Sequence, residues 1–331
     1  MKPIVGVTMG DPAGVGPEII AKALMDRGIL ELCRPVVFGS KAVMEEAFGI
    51  CGLKAEINVL DKVDFGYKDG LVNVFDIDNV NIKRLERGKI SGACGKAAYE
   101  YIERAVELAM KGKIQAIATA PVNKESLREA KVPFIGHTEM LEELTGITNP
   151  LTMFQVESLR IFFLTRHVSL RKACDLVTEE RVYQMIKRSF AALDRLGVKD
   201  PVLAVAALNP HGGEHGLFGD EEDNEIRPAI KRVADEGYNV TGPFPADSVF
   251  HFALKGRYDA VISLYHDQGH IASKMVDFEK TVSITNGLPF LRTSVDHGTA
   301  FDIAGKGIAS GTSMIEAIRL AGEYSRYFVT D

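Results

Sequence analysis

Apolar runs rich in valine and isoleucine alternate along this chain with longer segments whose apolar positions recur every three or four residues. Continuous apolar runs are typical of parallel strands buried on both faces, whereas the three-to-four spacing predicts amphipathic helices. The alternation of the two patterns predicts an α/β protein. Strands are predicted at 4–9, 35–39, 114–119, 161–164, 202–208 and 260–265, and helices at 17–25, 41–48, 95–111, 179–196 and 224–236.

Three of the predicted strands are each followed closely by a histidine, and these are His167, His211 and His266. In an open parallel sheet the carboxyl ends of the strands face the ligand crevice, so the three imidazoles are expected at one edge. Three neutral imidazoles that converge would bind zinc or a similar divalent ion and leave positions open for substrate oxygens. Spacings of 44 and 55 residues match no short metal motif, so three separate loop histidines are the alternative.

The segment 266–270 places two histidines four positions apart, as the HExxH helix of metallopeptidases does. Here Asp267 stands in place of the glutamate and is one methylene shorter. Gly269 and the strand directly before the segment predict a loop rather than a helix. A metallopeptidase is therefore a poor fit to this sequence.

Two glycine-containing segments carry groups suited to anions. Residues 10–18 follow a strand and open a helix, so their backbone amides are expected either to bind an anion or to form a plain tight turn. Their glycines match neither GxGxxG nor the Walker pattern. Residues 136–139 resemble a helix start with Thr138 as its cap, where the imidazole of His137 and free amides would suit a phosphate.

Residues 281–307 form the densest polar stretch of the chain. Arg292, together with Lys274 just before the stretch, is a candidate contact for an anionic substrate group: arginine as a bidentate fork, lysine as a point charge. Asp302 is a candidate acceptor for a ribose hydroxyl. The alternative is that these are ordinary surface charges.

Composition and charge narrow the class of protein. A length of 331 residues predicts about two domains. The net charge is −6 and no block of five like charges occurs, which argues against a nucleic-acid or anionic-membrane surface. No apolar run approaches 18 residues and polar Asp11 interrupts the first stretch, so neither a membrane span nor a signal peptide is expected. Four scattered cysteines are typical of reduced thiols, and we expect a cytoplasmic enzyme.

The motifs together resemble the 4-hydroxythreonine-4-phosphate dehydrogenase family. The resemblance is carried, in chain order, by residues 10–18 (GDPAGVGPE), 136–139 (GHTE), 208–214 (LNPHGGE), 242–247 (GPFPAD), 265–269 (YHDQG) and 292–300 (RTSVDHGTA). More distantly, residues 10–18 and 297–307 resemble the glycine turn and the adenosine loop of the isopropylmalate and isocitrate dehydrogenases.

The resemblance implies a two-lobed α/β/α fold like that of the isocitrate and isopropylmalate dehydrogenases. The expected lobes are residues 1–125 plus 295–331, which carry the glycine turn and adenosine loop, and residues 126–294, which carry the metal histidines and dimer contacts. The active site is expected in the cleft between the lobes and at the interface of a homodimer, because in that family the third metal ligand comes from the partner subunit.

The same resemblance implies which residues form the site. The metal ligands fall on His167, His211 and His266. Substrate contacts fall on His137, Thr138, Lys274, Ser283 and Arg292. The adenosine half of the cofactor is expected along residues 297–302, at His297, Gly298, Thr299 and Asp302. The candidate catalytic groups are Asp247, Asp267 and Lys274, with either aspartate as the base or as support for the metal ligands.

One position departs from the family pattern, because Ser283 stands where the family has asparagine. Asparagine offers a donor and an acceptor on a longer arm, whereas serine offers one short hydroxyl. Three substrates therefore stay as alternatives: 4-phosphohydroxy-L-threonine and the two sugar acids 4-phospho-D-threonate and 4-phospho-D-erythronate. Residues 166–170 and Ile271 look closer to the sugar-acid branch of the family.

The implied reaction is metal-dependent oxidation of the C3 hydroxyl of such an acid, with NAD as acceptor, to a β-keto acid that loses CO2. The expected ion is zinc, with manganese, cobalt or magnesium as alternatives. No basic cluster marks a pocket for the 2′-phosphate of NADP. Four other functions stay open: a metal-dependent hydrolase, an acyl or phosphate transferase, a dihydrodiol dehydrogenase, and a metal-stabilised dimer without catalytic activity.

Overall fold

The computed structural model describes residues 2–62 and 66–328 of the chain. These residues form two compact units. The first contains the described residues up to Pro150 and those from Gly287 onward, and the second runs from Leu151 to Asn286. The lobes predicted from the sequence, 1–125 plus 295–331 and 126–294, divide the chain at other positions.

Strands occur where most of the apolar runs predict them, and the predictions at 4–9, 35–39, 114–119, 161–164, 202–208 and 260–265 are confirmed. The strands in the described residues are β1 (Ile4–Thr8), β2 (Arg34–Gly39), β3 (Ile57–Val59), β4 (Val72–Asp76), β5 (Ala116–Thr119), β6 (Leu151–Val156), β7 (Leu159–Phe163), β8 (Leu203–Ala206), β9 (Val240–Phe244), β10 (Ala260–Ser263), β11 (Val282–Asn286) and β12 (Leu291–Val295).

Helices connect these strands, as the alternating pattern predicts. They are α1 (Gly16–Ala23), α2 (Arg27–Leu32), α3 (Lys41–Ile50), α4 (Gly92–Met110), α5 (Lys124–Glu129), α6 (His137–Thr145), α7 (Leu170–Asp175), α8 (Glu179–Arg195), α9 (Arg227–Asp235), α10 (Ala246–Leu254), α11 (His266–Val276) and α12 (Thr312–Tyr324). Short 3₁₀ segments occur at Ile82–Arg84 and Pro210–Glu214, and a π-helical turn at Glu222–Ile226 precedes α9. Across the described residues, none of the helices is long and apolar enough to cross a membrane.

In the first unit the strands pair in the order β3-β4-β2-β1-β5-β12, and each pairing is parallel. Val5, Val37 and Ile117 have no solvent exposure, as expected for strands covered on both faces. The carboxyl ends of β1, β5 and β12 therefore lie side by side. The glycine turn follows the first of these ends, and the loop that begins at Asp296 follows the last.

In the second unit the order is β11-β6-β7-β10-β8-β9. The pairings from β7 through β9 are parallel, whereas β6 is antiparallel to both β7 and β11. The sequence analysis did not predict β6 or β11. The predicted parallel arrangement therefore holds for β7, β10 and β8, whose carboxyl ends share one edge.

Two local predictions are wrong. Residues 266–270 are the beginning of α11 rather than a loop. Gly269 lies there because a Cβ at this position would come within 2.5 Å of Cε1 of Phe163, so glycine lets the helix approach the strand closely. Thr138 is not the cap of α6, because the cap is Gly136 and Thr138 lies inside the first turn.

Replacing Gly269 with alanine is expected to lower the free energy of unfolding by about 1–3 kcal/mol, since the new methyl group overpacks against Phe163. Gly49, in α3, is the matched control, because a Cβ there meets no atom within 4 Å. Gly49→Ala should leave stability unchanged or raise it by up to about 1 kcal/mol, the helix propensity gain. Urea unfolding measures both, and equal effects at the two sites would contradict the close approach of α11.

The loop after β12 is attached to α1. The carboxylate of Glu18 is 1% exposed and accepts hydrogen bonds from the backbone N–H groups of Gly305 at 2.6 Å and Gly307 at 2.7 Å. Lys22 Nζ donates to the carbonyls of Gly307 and Ala309 at 2.8 and 2.6 Å. Glu18 and Lys22, one turn apart on α1, thus bind both backbone N–H groups and backbone carbonyls of this loop.

We expect Glu18→Gln to lower the free energy of unfolding by about 2 kcal/mol, because the amide keeps one acceptor and turns a donor toward the other N–H group. Glu31→Gln removes the same charge from the exposed face of α2 and should change stability by less than about 0.5 kcal/mol. Denaturant unfolding followed by circular dichroism distinguishes them. Equal stability of the two variants would show that the buried carboxylate does not hold the loop.

Candidate active site

The three histidines that follow predicted strands lie at the ends of three neighbouring strands. His167 follows β7, His266 follows β10 and His211 follows β8, and β10 pairs in parallel with both of the other strands. The segments that carry them therefore leave the same edge of the second unit, with His266, the first residue of α11, in the middle. This is the edge at which open parallel sheets bind ligands.

The His211 loop has an unusual backbone. His211 itself has φ 54°, and Gly212 and Gly213 continue in the left-handed region with φ 70° and 80°. Non-glycine residues in this region are uncommon and cluster at functional sites. The buried Glu222 holds the loop, because its Oε1 accepts hydrogen bonds from the N–H groups of Leu208 at 2.8 Å and Asn209 at 2.7 Å.

Gln268 joins the segments that follow β8 and β10. Its Nε2 donates to the carbonyl of Ala207 at 2.8 Å, and its Oε1 accepts from the N–H of Leu264 at 2.7 Å. The side chain is 8% exposed. The sequence analysis missed this residue, because only the strand order shows that its two partners lie within reach of one amide. Gln268 therefore fixes the spacing of the segments that carry His211 and His266.

The geometry of the His167–His266 pair fits a shared metal ion. The ring centroids are 5.9 Å apart, and two imidazoles on one tetrahedral zinc ion are separated by roughly 5 Å, given metal–nitrogen distances of about 2.0–2.1 Å. Within the described part of the chain, no three histidine, cysteine or acidic side chains are grouped closely enough to hold a metal. The fit rests on this pair alone, and all three metal ligands stay predictions.

Asp267 orients the ring of His266, because its Oδ1 lies 2.6 Å from Nδ1 of the imidazole. A carboxylate on one ring nitrogen favours the tautomer whose other nitrogen has a lone pair for a metal. Asp247, the other candidate base, is exposed in the first turn of α10. Within the described residues it forms no hydrogen bond or ion pair with the three histidines.

His270 packs beneath His266. The two rings are stacked with centroids 4.0 Å apart, and Phe154 and Phe163 contact the His270 ring at 4.4 and 4.8 Å. Burial, and then the charges of neighbouring groups that include Lys274 and Arg166, lower the pKa of His270 to about 4. The imidazole is therefore neutral at pH 7.

The other predicted substrate contacts of the second unit lie on α11 and β11. Lys274 is half-buried, with its ammonium nitrogen 5.0 Å from the ring centroid of Phe278. Ser283 is half-buried on β11 and lies opposite Phe154 in the antiparallel pairing. Since paired residues share one face of a sheet, Ser283 lies on the face that His270 contacts through Phe154.

In the first unit, the buried Arg292 lies near the half-buried His137. Arg292 is 6% exposed, and its Nε and Nη2 donate to Oγ1 of Thr119 at 3.1 and 2.7 Å. Burial lowers its pKa to about 9. Burial and then the charge of Arg292 hold the pKa of His137 well below its usual range, although a hydrogen bond to the Ala120 backbone opposes this.

The Nε2 atom of His137 is buried and has no hydrogen-bond partner in the described residues. The desolvated guanidinium is suited to an anionic oxygen from a ligand. The unpartnered Nε2 of the neutral imidazole has a lone pair and is suited to accept a hydrogen bond from a hydroxyl of that ligand. Thr138, the neighbouring predicted contact, is exposed in the first turn of α6.

The predicted cofactor loop lies against the glycine turn. Thr299 is 8% exposed, and its carbonyl accepts the N–H of Val15 at 3.0 Å. His297, Gly298 and Asp302 are exposed. A Cβ on Gly14 would come within 2.9 Å of Thr299, so the turn needs glycine for this contact.

The glycine turn has a structural role. The N–H groups of Asp11, Ala13, Gly14 and Val15 all donate to protein oxygens within 3.0 Å. These amides are therefore not available to an anion. Of the two interpretations of residues 10–18, the tight turn is the one that the hydrogen bonds favour.

Comparisons with known proteins agree with this arrangement over nearly the whole chain. The chain is 58% identical over 328 residues to a Clostridium botulinum protein named "Putative D-threonate 4-phosphate dehydrogenase", which covers 99% of this chain and 98% of the relative. Structures of 4-hydroxythreonine-4-phosphate dehydrogenases from Burkholderia phymatum and Klebsiella pneumoniae match with TM-scores of 0.87 and 0.90 at 42% and 41% identity, covering 98% of each chain. They confirm the predicted dehydrogenase-like α/β fold.

The relatives are dehydrogenases, and the chain is an oxidoreductase of that class. Residues 31–321 match the family described as "Pyridoxal phosphate biosynthetic protein PdxA". The chain belongs to the PdxA family.

Proposed function

We propose that the chain oxidises the C3 hydroxyl of a 4-phosphorylated four-carbon acid to a β-keto acid, with NAD as the hydride acceptor, and that the product loses CO2. The names of the relatives support this, since they specify D-threonate 4-phosphate and 4-hydroxythreonine 4-phosphate. The observation that carries the proposal is the position of His167, His266 and His211 at the ends of three adjacent parallel strands. We propose that the enzyme acts as a cytoplasmic homodimer.

The three histidines are the proposed ligands of one divalent ion, with one of them supplied by the partner subunit. Zinc suits imidazole ligands best among the candidates, and manganese, cobalt and magnesium are the alternatives. Such an ion, when bound, lowers the pKa of an alcohol and stabilises the negative charge that develops next to a ketone.

The chain's own groups do the remaining work in this proposal. Asp267 or Asp247 takes the proton of the C3 hydroxyl; Asp267 is the one whose contact with His266 is established. The buried Arg292 binds an anionic oxygen of the substrate, and the unpartnered Nε2 of His137 accepts a hydrogen bond from a substrate hydroxyl. Lys274 and the Thr138 hydroxyl supply further donors for the carboxylate and phosphate.

The loop from His297 to Asp302 is the proposed site of the adenosine half of NAD. Its attachment through Val15 and, further along, through Glu18 supports this role, because a rigid loop loses little conformational entropy when it binds a ligand. Glu18→Gln should therefore raise the dissociation constant for NAD as well as lower stability.

The experiment that tests the proposal is NADH formation by the purified protein on 4-phosphohydroxy-L-threonine, 4-phospho-D-threonate and 4-phospho-D-erythronate. Each substrate is assayed untreated, after chelation, and after zinc, manganese or magnesium is restored. Turnover that chelation removes and metal restores supports the proposal. Turnover that chelation leaves intact contradicts the metal's role, and no turnover with any substrate contradicts the reaction itself.

A further inference from the structure

The loop that carries His211 forms a left-handed turn of six residues. Each residue from His211 to Gly216 has a positive φ, with values between 46° and 89°. Residues with a Cβ enter this region at a cost, so single residues normally occupy it rather than runs. His211, Glu214 and His215 all have a Cβ. The turn therefore requires contacts from elsewhere in the fold that keep it from relaxing.

Glu222, the first residue of the π-helical turn Glu222–Ile226, provides such contacts. Its side chain is buried, and Oε1 accepts the N–H groups of Leu208 and Asn209. Its Oε2 accepts Nδ2 of Asn209 at 2.9 Å. A Cβ on Gly213 would come within 2.8 Å of the same Oε2, so the carboxylate also packs directly against the left-handed turn. One buried carboxylate thus holds the residues that enter the turn and contacts the turn itself.

The residue before this segment is held as well. The carbonyl of Ala207 accepts Nε2 of Gln268, which belongs to α11. Three consecutive residues, 207–209, are therefore fixed by side chains from two other elements, and each of these bonds joins two groups of the protein. A ligand whose backbone is fixed in this way needs little reordering when a metal binds, and affinity rises when that cost is small.

We propose that Glu222 is a positioning residue, which keeps residues 211–216 in the left-handed turn before a metal binds and so presets the position of His211. This rests on the proposed function and deepens it, because it takes His211 as a metal ligand and assigns the group that prepares it. Without the carboxylate the turn relaxes, and the metal then binds only the fraction of molecules in which the turn has formed again.

The test uses the purified protein after chelation, with zinc as the probe. Glu222→Gln keeps the shape of the side chain and exchanges one acceptor for a donor. Asp223→Asn is the matched control, because Asp223 is exposed in the same π-helical turn and its carboxylate bonds to Arg227. Competition with a chromophoric chelator measures zinc affinity. Mass spectrometry measures backbone hydrogen exchange in residues 208–216, with and without zinc.

Thermal melting shows whether each variant is folded. Should Glu222→Gln fail to fold, Glu222→Asp replaces it, because aspartate keeps the charge and draws it one methylene away from the loop. The same zinc and exchange measurements then apply, with the same expected directions.

Glu222→Gln should raise the dissociation constant for zinc by about 30-fold and speed exchange in the metal-free segment by about tenfold or more. Saturating zinc should return both the exchange and kcat to within about threefold of the wild type, since the bound metal favours the formed turn. Zinc should change the exchange of the wild-type segment little, because its turn is already formed. Asp223→Asn should alter none of these values.

Two further variants test the left-handed backbone itself. Glu214→Gly introduces a residue that enters positive φ freely, so in the Glu222→Gln background it should recover about fivefold of the lost zinc affinity. Glu214→Gln removes the same charge but keeps the Cβ, and it should recover nothing. In the otherwise wild-type protein, neither substitution should change zinc affinity by more than about twofold.

Faster exchange with unchanged zinc affinity would overturn the positioning role and leave Glu222 a purely structural residue. Unchanged exchange would show that the carboxylate does not hold the turn, and equal recovery by the two Glu214 variants would contradict the cost of the left-handed backbone. If the wild type binds neither zinc nor another divalent ion, the metal's role in the proposed function fails, and hydrogen exchange alone then decides whether Glu222 holds the turn.

Discussion

His211→Ala is expected to lower kcat/KM by about 1,000-fold or more and to remove most of the bound divalent ion. His211 is held in a left-handed backbone by a loop that Glu222 fixes at two N–H groups. The loop has little freedom to move another ligand into place. Metal content by mass spectrometry and steady-state turnover with zinc restored are the two measurements.

His251→Ala is the control for this variant, because His251 is an exposed histidine on α10 of the same unit. It should retain both metal and activity. Full metal content in His211→Ala, with activity unchanged, would exclude His211 as a ligand. Metal retained with activity lost would assign it a role in substrate binding instead.

Arg292→Met is expected to lower kcat/KM by about 1,000-fold, because two charge-assisted hydrogen bonds to a substrate anion are each worth about 1.5–3 kcal/mol. The free energy of unfolding should stay constant or rise, since methionine removes a charge that burial has already made costly. Thr119 keeps an acceptor for its hydroxyl in the carbonyl of Thr293. The combination of a large kinetic loss with undiminished stability distinguishes a binding role from a structural one.

The control is Arg128→Met on α5, where the side chain is 83% exposed. Isothermal calorimetry with inorganic phosphate and with the substrate measures the anion site directly, and chemical unfolding measures stability. A variant at Arg292 that binds both ligands normally would contradict the anion site. A variant that is strongly destabilised would show that the guanidinium holds the fold.

The sequence predicts the parts of the fold that depend on local pattern. Continuous apolar runs place β7, β8 and β10, and the residues just after them place the three histidines at one edge. The antiparallel strand β11 is not found in this way, because its pairing with β6 joins segments more than 120 residues apart in the chain. Strand β6 also forms a hairpin with β7 across two residues, and this local pairing was missed.

Long-range contacts also explain the local errors. Gly269 looks like a helix breaker, yet the short distance between α11 and Phe163 requires a residue without Cβ. Thr138 looks like a cap, yet Gly136 is the residue with the extended backbone that precedes α6. The role of Gln268 is not visible in the sequence, since its side chain bonds to Ala207, which follows another strand.

The division of the chain sets the order in which its parts can be completed during synthesis. The second unit is one continuous segment, whereas the first needs β12 to pair with β5 and needs the loop at Gly305–Gly307 to reach Glu18, 287 and 289 positions earlier. A ribosome that has released only the amino-terminal half has released no complete unit. The second unit can fold as soon as its last strand, β11, leaves the ribosome, whereas the first has to wait for the carboxyl-terminal residues. A chain truncated after β11 therefore loses the first unit and keeps the second.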